Sequence, residues 1–124
     1  MSSRPQFSPH AVIDAVSMGA SITSEVTIIQ KLSLVSYAIE WTGTSPIGAM
    51  SVQVSNDYTQ NGDGTVRDAG TWNTLDLSSA TNVSGNTGNG FIDIYASGAY
   101  AIRLVYTRSS GTGTMRAIIS GKVA

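Results

Sequence analysis

A chain of 124 residues accommodates one domain with a real core and leaves little room for a second. Charged residues make up only 12%, the net charge is −1 from 7 basic and 8 acidic groups, and no run of like charge exists. This balance argues against nucleic-acid binding through a basic patch and against docking on an anionic membrane.

Hydrophobic residues reach 41%, and Ser, Thr, Gly and Asn occupy the places where charges usually stand. Such a composition suits strands joined by tight turns, with hydroxyls on the exposed faces. The chain has no cysteine, which rules out disulfides and thiolate metal sites. Met1-Ser2-Ser3-Arg4-Pro5 has no apolar signal core, and no window approaches the ~18 apolar residues of a membrane helix. The expectation is a soluble protein made in the cytoplasm, without an export signal.

Residues 1–10 are polar, contain two prolines, and read as an extended N-terminal arm. Residues 11–124 then read as a single β-domain. Ala11–Met18 and Ser21–Gln30 are rich in Val, Ile and Thr. A short helix over Pro9–Met18 is the minority alternative. Ser33–Thr42 alternates clearly: Val35, Tyr37, Ile39 and Trp41 share one face, and Ser36, Ala38 and Glu40 the other. Met50, Val52 and Val54 repeat the pattern, and Leu75 and Leu77 flank Asp76. Ile92 and Ile94 lie opposite Phe91, Asp93 and Tyr95. Tyr100, Ile102, Leu104 and Tyr106 lie opposite Arg103, Val105 and Thr107, and Met115–Val123 makes a final strand. Turn signals fall at Thr42–Gly48, Asn56–Gly70, Ser78–Gly90, Ser97-Gly98 and Ser109–Gly113. About eight strands at this spacing predict an all-β, antiparallel β-sandwich of jelly-roll type.

No catalytic set emerges. The single histidine, His10, lies in the arm; there is no Cys and no G-x-S-x-G elbow. Glu25 and Glu40 are the two glutamates. Glu40 stands beside Trp41, a pairing that sugar-binding surfaces use, although a core Trp with a rim charge accounts for it too. The stretch Asp57–Asp68 resembles a calcium loop, with Asp57, Asn61 and Asp68 at its first, fifth and twelfth positions, Gly62 at its sixth, and Asp63 following. Thr59 stands where the third-position acid belongs, Asp68 is shorter than the usual terminal Glu, and the flanks read as strands. Asn-Gly and Asp-Gly are also hairpin turn pairs, and a turn explains these residues with no metal. Gly85–Gly90 reads as a flexible connection, and Asn82-Val83-Ser84 as an incidental sequon. Arg103 and Arg116 would form a small basic strip if they stood side by side on neighbouring strands; Arg108 is the third arginine of this region. No cofactor is expected.

The order Tyr37–Ser45, Ser51-Val-Gln-Val-Ser-Asn-Asp57, Gly70-Thr-Trp72, Tyr100–Thr107 and Gly111-Thr-Gly113 resembles small β-sandwich virion structural proteins of bacteriophages, capsid- or tail-associated. The resemblance spans roughly residues 35–122. It implies a non-enzymatic homo-oligomeric subunit, located in the virion and made in the host cytoplasm. Its partners would be itself and other virion proteins, with no nucleic acid and no membrane. Low charge and hydroxyl-rich strand edges agree with such a role. The same order also resembles discoidin-type jelly rolls, whose loops bind sugars or lipids; the cysteine pair common there is missing. Under that alternative, a carbohydrate- or cell-surface-binding module, Tyr58, Trp72 and the loop Asn56–Asp68 are the candidates.

Overall fold

The computed structural model describes residues 6–29, 32, 34–75, 81–95 and 99–122. All its regular structure is β, in ten strands: β1 (Gln6–Ser17), β2 (Ile22–Thr23), β3 (Thr27–Ile28), β4 (Leu34–Ser55), β5 (Thr59–Gln60), β6 (Val66–Asp68), β7 (Asn73–Thr74), β8 (Thr81–Val83), β9 (Thr87–Tyr95) and β10 (Ala101–Lys122). Eight strands form one antiparallel sheet, and β5 and β6 form a separate ribbon.

The sheet is organised by its two longest strands. β4 and β10, 22 residues each, pair along their whole length, from Leu34 opposite Lys122 to Ser55 opposite Ala101. Two expected turns, Thr42–Gly48 and Ser109–Gly113, lie opposite one another in this ribbon and continue as strand. Turn chemistry is used there for a bulged bend. The register shifts between Arg108 and Ser110 and again between Ser110 and Thr112. Gly111 takes a φ of 81° and Ser45 a φ of 47°. Side chains at Gly43 or Gly111 would strike the opposite strand's backbone, so the two chains approach closely only because these positions are bare.

The bend divides the sheet. In the first half, β1 and β9 flank residues 113–122 of β10 and 34–43 of β4. In the second half, β2 and β3 flank residues 101–108 of β10, while β7 and β8 flank 47–55 of β4. Alternation sends Val35, Tyr37, Ile39, Trp41, Ile92, Ile94, Met115, Ala117 and Ile119 inward from the first half. Met50, Val52, Ile102, Leu104 and Tyr106 come from the second, and all belong to one buried cluster. The expected all-β antiparallel domain is present; its hydrogen bonds describe one bent eight-stranded sheet where a jelly roll has two.

Several boundaries move. β1 begins at Gln6, so it runs across the expected junction between residues 10 and 11, and the Pro9–Met18 segment is strand rather than helix. Residues 1–5 of the expected arm lie outside the described residues, as does Leu77. Ser21–Gln30 yields only β2 and β3, separated where Ser24 accepts from the Leu104 amide through its hydroxyl. The connection expected over Gly85–Gly90 is largely β9, because Gly88 lies on the Trp41 ring and any side chain there would collide with it.

Candidate functional site

The loop after β4 is held by short polar side chains. The Asp57 carboxylate accepts from the Thr71 amide at 2.7 Å and from the Ser55 hydroxyl at 2.8 Å, closing residues 55–71 on themselves. The Thr71 amide, ahead of the Ser55 hydroxyl, holds the Asp57 carboxyl below the usual carboxylate range. Within the β5–β6 ribbon, Asp63 accepts from the Thr65 hydroxyl and amide, and the hydroxyl is the larger cause of its lowered pKa. Asn61 donates its side-chain amide to Thr65, and Asp68 accepts from the Gly70 amide. Asn61, Asp63 and Asp68 of the calcium-like pattern thus serve local turns, and Asp57 closes the loop. Among the described residues, no group of three or more His, Asp or Glu is placed to hold a metal.

Tyr58 and Trp72, the sequence's sugar-binding candidates, meet at 5.7 Å in a tilted contact. Tyr58 is buried, and the Arg103 guanidinium covers the Trp72 ring at 4.1 Å from its centre. Arg103 also donates to Gln53, its partner across the ribbon, at 2.8 Å. Desolvation in this stack lowers the Arg103 pKa. The cluster pins the loop to the outer surface of the second half. With Tyr58 enclosed and Trp72 covered by Arg103, it offers no open aromatic platform.

The remaining candidates are dispersed. His10 faces Glu25 at 3.3 Å on the surface. Arg103 and Arg116 belong to one strand and to opposite halves of the sheet, so the conjectured strip on adjacent strands does not form. Arg116 instead stands between Glu40 and Asp14, 3.9 Å from each. Trp41 points into the core, as its alternation with Val35, Tyr37 and Ile39 places it, and donates to the Gly85 carbonyl; Glu40 is left as a rim charge.

Register supplies what chain order hides. On the outer surface of the first half, three rows run across the strands. Thr87, Thr42, Thr114 and Ser17 form a row of hydroxyls. Asn89, Glu40 and Arg116 form the next, extended by Asp14. Phe91, Ala38, Ile118 and Ala11 form the third. Phe91 is 63% exposed, the most open large hydrophobic side chain described. The middle row lines two adjoining depressions, of about 390 and 630 Å³, that share Glu40, Asn89 and Arg116. Alternation places Phe91 and Glu40 outward, but only the long-range pairing of β9 with β4 brings them to the same surface.

The sequence matches no protein-family model and no curated protein. The fold is similar to that in the crystal structure of the SPBc2 prophage-derived protein YomS, with a TM-score of 0.51. The match covers 97% of this chain and 96% of that one at 11% identity, and at that identity the likeness is one of fold.

Proposed function

We propose that the protein is a non-enzymatic structural subunit of a phage particle, capsid- or tail-associated, made in the host cytoplasm and acting by self-association and surface complementarity. The bent sheet, read as a two-layer sandwich of jelly-roll type, would be its building block. The fold likeness to a prophage-derived protein, end to end on both chains, supports this reading.

The observation that carries it is the contrast between the two edges of the first half. β1 is blunted: its pairing with β10 shifts register three times, and Ala15 takes a φ of 52°. Bulges of this kind are how sheets discourage further pairing. β9 has none of them. It pairs with β4 over nine consecutive residues with no shift, holds one charged residue (Asp93), and among the described residues has no strand on its other side. A regular, weakly charged edge is a template for another chain.

Sedimentation velocity across a broad concentration range tests the reading. Self-association is expected, and Thr87→Lys with Asn89→Lys, two charges on the β9 edge, should return the protein to monomer. A parent protein that stays monomeric at the highest concentration would refute assembly through this edge.

A further inference from the structure

We propose that the outer surface of the first half binds an uncharged oligosaccharide, with the Phe91 ring under the C–H face of one sugar and Asn89, Glu40 and Arg116 on its hydroxyls. This goes beyond assembly and does not depend on it.

Phe91 presents an exposed ring in an otherwise weakly apolar row, since its neighbours across the strands are Ala38, Ile118 and Ala11. One flat ring among small or half-buried side chains suits a ligand that is flat and only partly apolar. A pyranose has such a face, formed by its axial C–H groups. In the row beside the ring, spaced from one another by the strand separation of about 4.8 Å, come an amide, a carboxylate and a guanidinium. Together they supply planar donors and acceptors, which a pattern of alternating hydroxyls requires.

These groups are not consumed by one another. Arg116 lies 3.9 Å from both Glu40 and Asp14, in loose surface ion pairs beyond hydrogen-bond reach, so these groups keep donors and acceptors for a hydroxyl. The row Thr87, Thr42, Thr114 and Ser17 extends the polar surface, so a chain of sugars could continue past the first unit. The two depressions join along the middle row and form a trough rather than a closed pocket, a shape for a polymer rather than a single small molecule.

Charge selects the class. Asp14 and Glu40 against Arg116 leave one net negative charge, which disfavours phosphate, sulfate and uronate ligands.

The test is an amide chemical-shift titration of the full chain with cellohexaose, maltohexaose and N-acetylchitohexaose up to about 10 mM, a range that detects millimolar binding. A polygalacturonate oligomer is the charged control. At least one neutral saccharide should shift residues 38–42, 87–91 and 114–118. Phe91→Ala should weaken binding about tenfold or more without changing Tm, because the ring is exposed. Glu40→Gln should weaken it less, and Trp72→Phe, on the other half, should leave it unchanged. The proposal is overturned if no neutral saccharide shifts these residues, if Phe91→Ala binds as well as the parent, or if the charged oligomer binds equally. Loss of self-association in Phe91→Ala without any saccharide binding would also overturn it and assign the ring to assembly alone.

Discussion

Tyr37 is fully enclosed, and its hydroxyl finds no hydrogen-bond partner among the described residues. A buried donor left unpaired costs roughly 1–3 kcal/mol. Tyr37→Phe should therefore raise stability by about 1 kcal/mol in urea unfolding, and a loss of stability would show that the hydroxyl is satisfied. Tyr106 provides the contrast, since its hydroxyl donates to the Ile47 carbonyl, and Tyr106→Phe should cost about 1 kcal/mol. Burial also pushes the Tyr37 phenol well above its ordinary value of 10.0. The unfolded chain releases that proton first, so the contribution is complete below pH 10 and is lost as pH rises beyond it. Alkaline destabilisation should be shallower in Tyr37→Phe than in the parent. Asp57 behaves oppositely. Its carboxyl is held ionised to lower pH than usual, so its hold on the loop is present at neutral pH and is lost as acid protonates it. The Thr71 amide resonance should report this with a midpoint below 3.8, and a midpoint at or above that value would break the link. These roles differ in legibility. Inward placement of Tyr37 follows from strict alternation, whereas the reach from Asp57 to Thr71 spans a loop whose path no local pattern specifies.

The bend in the β4–β10 ribbon is where reading by turn residues misleads. Gly43, Ser45, Pro46 and Gly48 on one strand, and Ser109, Gly111 and Gly113 on the other, carry every mark of two reversals. They face each other, and a feature needing close backbone approach on both strands has the same composition as a pair of loops. Glycine replacements separate the two requirements. Gly85 has a φ of 85° with open space around its missing side chain, while Gly111 has a φ of 81° with the Ser45 and Pro46 backbone against it. Gly85→Ala should cost about 1 kcal/mol from the left-handed backbone alone. Gly111→Ala should cost clearly more by the same urea measurement, and equal costs would mean that the strands do not touch as described. The alternating segments of β4, β9 and β10 were legible because one face of each is core. The three-row surface was not, since it arises from register between strands about 50 residues or more apart in sequence, which periodicity does not encode.

Across the whole molecule, the two halves of the sheet contribute to one core, so they should melt together. The two tryptophans report on different halves: Trp41 is in the core of the first, and Trp72 covers Arg103 on the second. Fluorescence of Trp41 in Trp72→Phe, and of Trp72 in Trp41→Phe, should each follow the same denaturation curve as far-UV circular dichroism of that variant. Separate transitions would mean that the bend joins two independent units. The placement of β10 at the centre of the sheet has a further consequence in time. β1, β2, β3 and one edge of β4 take their hydrogen bonds from a strand that is synthesised last. At translation rates of roughly 5–20 residues per second, several seconds separate the completion of β4 from that of its partner. During that interval the edge of β4 that β10 will cover stays open, while β7, β8 and β9 join its other edge. Nascent chains of this protein on crowded polysomes therefore have a window in which to pair with each other instead, and slower translation lengthens it.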